Sequence, residues 1–134
     1  MTPQPIPASS LQSTYAQLRD DLSVAAVPVT DRFWSDLAGG RRPELDEGRL
    51  VLLLHHTQSW TTWEMHPAGD ELVILQGGEA DLRLELDGGE VSVALRKPGD
   101  FVRVPRGVWH TARIDRPTAL LFITPGRGTQ TRPA

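Results

Sequence analysis

The sequence predicts an all-β domain, a barrel or sandwich of short antiparallel strands behind a partly helical N-terminal extension. Three observations carry that expectation. From Arg49 onward the apolar residues recur with a period of two, as on strands with one wet face. The alternating runs are separated by turn residues at regular intervals, the pattern of all-β barrels and sandwiches. The chain also holds 12 glycines and 11 prolines among 134 residues without low-complexity runs, which implies many turns and hence many short strands. This length suits one domain with a sizeable core.

Residues 1–8 contain three prolines and read as an extended or flexible arm. Leu11, Tyr15, Leu18 and Leu22 then fall at helical spacing, so a helix is expected from Ser10 to Leu22, capped by Ser9 or Ser10. Val24–Val29 is valine-rich but carries Pro28, which limits it to an edge strand. Thr30 is positioned to cap a short helix through Phe33, Trp34 and Leu37, followed by a loop over Ala38–Pro43. The remaining elements are strands. Leu82, Leu84 and Leu86 alternate with charged residues, Asp87-Gly88-Gly89 supplies a turn, and Val91, Val93 and Leu95 continue as the second arm of a hairpin. Pro98-Gly99-Asp100 precedes a strand over Phe101–Val104, Pro105-Arg106-Gly107 precedes one over Val108–Ile114, and Ala119–Thr124 is the last. The expected organisation is an extension over 1–45 (arm and short helices), a β-barrel over 46–125 and a tail over 126–134.

Composition narrows the chemistry. The chain has no cysteine, which excludes disulfides, thiolate metal sites and a cysteine nucleophile. A metal would have to be held by imidazole and carboxylate, and the histidines are only four: His55, His56, His66 and His110. A net charge of −3 with scattered arginines argues against nucleic acid as a partner. The longest apolar runs, Leu50–Leu54 and Ala119–Ile123, fall far short of the roughly 18 residues of a membrane span. The N-terminus has neither the basic start nor the apolar stretch of a secretory signal, so a cytoplasmic location is expected. No phosphate-binding loop or nucleophile-elbow pattern is present.

Two segments gather ligand-type residues: Trp63–Glu71, and Gly99–His110. Residues two apart on a strand share a face, so Glu64 and His66 point the same way, and Trp60 shares their parity. Glu71 follows a Pro-Ala-Gly turn and can return beside them. Asp70 competes with it by spacing. His110 stands in an otherwise apolar face of Val108, Ala112 and Ile114, which a barrel can bring opposite His66.

These two segments resemble the paired motifs of the cupin superfamily of small β-barrels. Against that family's first motif, G-x5-H-x-H-x(3,4)-E-x6-G, this chain has Glu64-x-His66-x4-Glu71-x6-Gly78. Against the second, G-x5-P-x-G-x2-H-x3-N, it has Gly99-x5-Pro105-x-Gly107-x2-His110. The resemblance covers about residues 49–124. Gln58 stands where the first motif opens with glycine, Ile114 where the second ends with asparagine, and Glu64 where the family has its first histidine. The resemblance implies an antiparallel double-sheet jelly-roll barrel holding one divalent metal ion, with iron, manganese, zinc and nickel all open. It also implies a small-molecule ligand or substrate, with dioxygenase- or isomerase-like chemistry or a non-catalytic sensing role.

Three ligand arrangements stay open from the residues. Glu64, His66, Glu71 and His110 can share one ion. Alternatively His66, Glu71 and His110 form a two-histidine, one-carboxylate set with open positions, leaving Glu64 as a general base. In the third the cluster is a polar pocket without metal. Trp60 is expected to shape the pocket wall. His55 and His56 are consecutive, so they point to opposite faces and at most one can line the barrel. Trp63, Met65 and Trp109 have outward parity and need cover from the N-terminal helix or a second subunit, which with family habit favours a homodimer.

Overall fold

A computed structural model describes residues 3–134; the first two positions of the expected arm lie outside the described residues. Eleven strands form two antiparallel sheets. They are β1 (Thr14–Leu18), β2 (Val24–Pro28), β3 (Arg49–His56), β4 (Thr62–Met65), β5 (Glu71–Gly77), β6 (Ala80–Leu86), β7 (Gly89–Leu95), β8 (Phe101–Val104), β9 (His110–Arg113), β10 (Thr118–Thr124) and β11 (Gln130–Pro133). One sheet runs β2-β1-β3-β10-β5-β8 and the other β11-β4-β9-β6-β7. One helix, α1 (Phe33–Ala38), and a 3-10 turn at Pro43–Asp46 lie between β2 and β3. The architecture is the double-sheet jelly roll that the sequence predicts.

Period-two alternation is realised as burial. Leu50, Leu52, Val73, Leu75, Leu120 and Phe122 of the six-stranded sheet and Leu82, Leu84 and Ala112 of the other are buried in one apolar core. The β6–β7 hairpin pairs Leu82 with Val93 and Leu84 with Val91 around the Asp87-Gly88 turn. Gly78, the glycine that ends the first motif, has φ +78°, and a Cβ there would sit 2.4 Å from the carbonyl oxygen of Pro117. Only glycine allows the β5–β6 turn to approach the chain entering β10 this closely.

The expected helix over Ser10–Leu22 is not formed. Thr14–Leu18 is instead a strand, paired to β2 through Tyr15↔Val27 and to β3 through Gln17↔Leu50. The buried positions are Tyr15 and Gln17, two apart, and the polar Gln17 hides the strand period from an apolar count. Its amide is satisfied inside the fold, donating to the carbonyls of Glu44 (2.8 Å) and Glu47 (2.9 Å). Leu22, the last residue of the supposed helical stripe, sits at the hairpin tip with φ +72° and is 93% exposed. Long-range pairing with a valine-rich partner therefore overrides the local helical period.

The edge-strand expectation for Val24–Val29 is met, with β2 at the sheet edge and Pro28 at its end. Helix α1 starts after Arg32, with Thr30 contributing its carbonyl to Phe33 N–H (3.0 Å) rather than a side-chain cap. The helix buries Phe33 completely, edge-on to Tyr15 at 5.4 Å.

The outward tryptophans are not covered by an N-terminal helix. Residues 130–133 form a strand against β4, and Arg132 of that strand lies over the rings of Trp63 (5.3 Å) and Trp109 (4.5 Å) while pairing with Glu85. No helix among the described residues is long and apolar enough to cross a membrane.

Candidate metal centre

The local turns set the ligands before any long-range contact does. Pro105-Arg106-Gly107-Val108 closes as a turn with Val108 N–H on the carbonyl of Pro105 (3.1 Å), and Gly107 has φ +77°. A positive φ at the third position is what a type II turn requires. Gly107 N–H is then free to donate to the carbonyl of His66 (3.0 Å), which ties the second motif to the first. Arg106 reaches from the same turn to the carbonyls of Pro67 (2.9 Å) and Ala68 (2.8 Å). Asp70 faces outward and accepts from Arg106 N–H (2.8 Å) and the Arg103 guanidinium (3.1 Å). Asp70 thus holds the ligand loop, and its neighbour Glu71 turns inward, 2% exposed.

Glu64 on β4 and His110 on β9 are direct cross-strand partners in one sheet. Glu71 opens β5 in the facing sheet, paired with Val104. His66 follows the last residue of β4. The structure therefore brings together all four residues singled out from the sequence, between the two sheets. His66 Nε2 lies 3.2 Å from Glu71 Oε2, and His110 Nε2 lies 3.0 Å from Glu71 Oε1. Glu64 Oε2 is 4.0 Å from His66 Nε2. Ligand atoms of Glu64, His66 and His110 all fall within 4.8 Å of one another, a grouping that can hold a metal ion.

Two imidazole nitrogens and a carboxylate oxygen at the centre have no hydrogen-bond partner: His66 Nε2, His110 Nε2 and Glu71 Oε1. Each imidazole Nε2 faces a Glu71 oxygen at ion-pair distance. Buried polar atoms are almost always paired, so three such atoms gathered at Glu71 need an explanation. A divalent ion supplies one. Ligands at about 2.1 Å from an ion are about 3–3.4 Å apart at right or tetrahedral angles, a range compatible with the 3.0 and 3.2 Å separations at Glu71. The outer nitrogens are held: His66 Nδ1 is 2.8 Å from Thr129 Oγ1, and His110 Nδ1 is 3.1 Å from the Val108 carbonyl. Thr124 donates to Glu71 Oε2 at 2.6 Å. Metal-binding histidines and carboxylates characteristically have such outer partners. Thr124 and Thr129 were not found from the sequence, because each lies more than 50 positions from the ligand it touches.

Burial and charge act together here. Burial pushes the Glu71 carboxyl up, but the facing imidazoles of His110 and His66 outweigh it and hold the group down to about 2. Burial lowers His110, and the Glu71 carboxylate outweighs that and raises it. Glu64 is raised, first by burial and then by the negative charge of Glu71. His66, Glu71 and His110 are buried, whereas the Glu64 side chain is 35% exposed, so the centre meets solvent on the Glu64 side.

Trp60 packs against the centre, its ring 6.1 Å from that of His110 and 5.9 Å from that of Phe122. The loop carrying it is tied to β9, with Trp60 N–H on the Ala112 carbonyl (3.0 Å) and Ile114 N–H on Ser59 Oγ (2.8 Å). Of the histidine pair, His55 faces out, 3.1 Å from Gln12 Oε1, and His56 faces the Trp60 ring at 5.9 Å. His56 continues the inward parity of Leu50, Leu52 and Leu54, a signal present in the sequence. Outside the centre, a cleft of about 580 Å³ opens beside the ligand loop, lined by residues including Asp46, Arg49, Asp70 and Arg127, and touches none of the four central residues.

No protein-family model matches this sequence, and no curated protein matches it. Among solved structures, a recombinant oxalate oxidase in complex with glycolate is similar with a TM-score of 0.53 at 17% identity, covering 62% of this chain and 45% of that one. A further oxalate oxidase gives 0.52 at 17% identity, over 61% and 45%. The Drosophila melanogaster CENP-C cupin domain gives 0.49 at 20% identity, over 55% and 59%. This chain spans less than two thirds of the length of each of these proteins. The likeness to the oxalate oxidases shows the fold alone, a double-sheet jelly roll.

Proposed function

We propose that this protein binds one divalent metal ion through His66, Glu71 and His110, with Glu64 as fourth ligand, and acts on a small polar molecule at that ion. The observation supporting this is the convergence of three buried, unpartnered ligand atoms whose own outer atoms are hydrogen-bonded. Iron, manganese, zinc and nickel all accept imidazole and carboxylate; the second carboxylate shifts the set toward iron and manganese. An ion bound there supplies Lewis-acid or redox chemistry, of the dioxygenase or isomerase kind.

The chain's own residues do the rest. His66 and His110 present their Nε2 atoms, and Glu71 offers one oxygen to each side. Glu64 stands at the solvent-facing side, where a carboxyl with a raised pKa can take or return a proton if it is not a ligand. Trp60 walls the centre against His110. A non-catalytic sensing module is the second reading, favoured by the near-complete burial of three of the four residues. A homodimer is the expected assembly; Phe101, 62% exposed on edge strand β8, adds an apolar contact to the outward tryptophans.

Metal analysis and titration of the metal-free protein test this proposal. One ion per chain is expected, and His110→Ala should abolish its binding. A wild-type protein that takes up no stoichiometric metal after loading, or a His110→Ala variant that binds normally, overturns it. Oxygen consumption by the loaded protein with candidate substrates separates dioxygenase from sensor.

A further inference from the structure

We propose that Thr129 is a positioning residue for His66: its hydroxyl fixes the proton on Nδ1 and so presents Nε2 to the centre as a lone pair. This rests on the metal-binding reading above. The argument is a count of protons. A threonine hydroxyl has one proton and two acceptor sites. Thr129 Oγ1 lies 2.9 Å from the Gly126 carbonyl, which can only accept, and 2.8 Å from His66 Nδ1. With its proton on the carbonyl, the hydroxyl faces Nδ1 as an acceptor, and Nδ1 carries the hydrogen. In a neutral imidazole that leaves Nε2 unprotonated. Nε2 is the atom that points at Glu71.

His110 is oriented by a different route. Its Nδ1 faces the Val108 carbonyl at 3.1 Å, which also can only accept. One ligand is thus oriented by a main-chain atom that no side-chain substitution removes, and the other by a single side chain. Thr129 is itself held, since its N–H donates to the same Gly126 carbonyl at 3.1 Å and closes the turn. At the start of this segment Thr124 donates to Glu71 Oε2 at 2.6 Å. Residues 124–129 therefore supply outer partners to two ligands that lie on either side of the centre. The strand that follows, β11, fixes the segment in place by pairing with β4.

The test compares Thr129→Val, which removes the hydroxyl at nearly constant shape, with Thr129→Ser, which keeps it. Titration of the full-length metal-free proteins with cobalt(II), followed by visible absorption, reads affinity. Thr129→Val should bind about 10–100-fold more weakly and Thr129→Ser within a few-fold of wild type, as loss of an outer partner predicts. Both should melt as the wild type does without metal. Two-bond ¹H–¹⁵N NMR of the metal-free protein, at a pH where the ring is neutral, reads the tautomer directly. Wild type should show the His66 proton on Nδ1, and Thr129→Val a mixture. Unchanged cobalt affinity in Thr129→Val, or a wild-type proton on Nε2, overturns the proposal. If wild type binds no cobalt, the metal reading fails, and the NMR result alone decides the role of Thr129.

Discussion

Glu64 and His110 face each other across one rung of a sheet, so the residue that departs from the cupin pattern is locked to the one that best matches it. Glu64→Gln keeps shape and removes charge. On the four-ligand reading it weakens metal binding at least about tenfold, since a ligand should count for no less than an outer partner; calorimetric titration checks this, and unchanged affinity would reassign Glu64 to proton transfer. Away from the centre, Asp100 shows how one carboxylate holds a turn. It accepts from the N–H groups of Arg96 and Lys97, both at 3.0 Å, and those bonds hold its pKa below the usual carboxylate range. A depressed folded-state pKa contributes stability above the unfolded value that is lost as pH falls through the folded value. Asp100→Asn should therefore lower the melting temperature near neutrality, and the difference from wild type should vanish in acid, as a pair of melting curves across pH would show.

Glycines and stacked side chains decide matters at the scale of elements. Gly107 needs only a positive φ, with open space around it, so Gly107→Ala should cost about 1–2 kcal/mol. Gly78 needs both a positive φ and the absence of a Cβ, so Gly78→Ala should cost more; urea unfolding ranks the two. Arg132→Ala removes the cation from both tryptophan faces and should destabilise β11 by about 1 kcal/mol, with a change in tryptophan emission. Strands such as β6 and β10 were readable because they bury apolar residues on one face, between turns rich in glycine and proline, whereas β11, which buries no apolar residue, lies in the segment expected as a tail over 126–134. The β8 bounds, Phe101–Val104, agree with the sequence reading. Strand β1 was unreadable because one of its two buried residues is Gln17, whose burial depends on carbonyls 27 and 30 positions away. The central residues were legible from motif spacing. Their outer threonines were not, since nothing local marks a hydroxyl that meets its partner only after folding.

The whole molecule is closed by its two ends. Near the N-terminus β1 and β2 extend the six-stranded sheet, and β11 edges the other sheet beside β4. Phe33, fully buried against Tyr15, ties α1 to this added layer. Phe33→Ala should cost about 3–5 kcal/mol. If the layer folds with the barrel, circular dichroism and tryptophan fluorescence will report one coincident transition in that variant; two separated transitions would show that residues 14–38 melt independently.

The pair of carboxylates has an electrical consequence. On the four-ligand reading, ionised Glu64 and Glu71 together would cancel the charge of a divalent ion and leave the centre neutral overall. A neutral centre can sit in an apolar interior without importing a counter-ion, because the cost of burying net charge is avoided. With histidine at position 64 the same centre would keep one positive charge and would welcome an anion. On the four-ligand reading proposed above, glutamate rather than histidine at position 64 would disfavour anionic guests and leave the centre to uncharged ones.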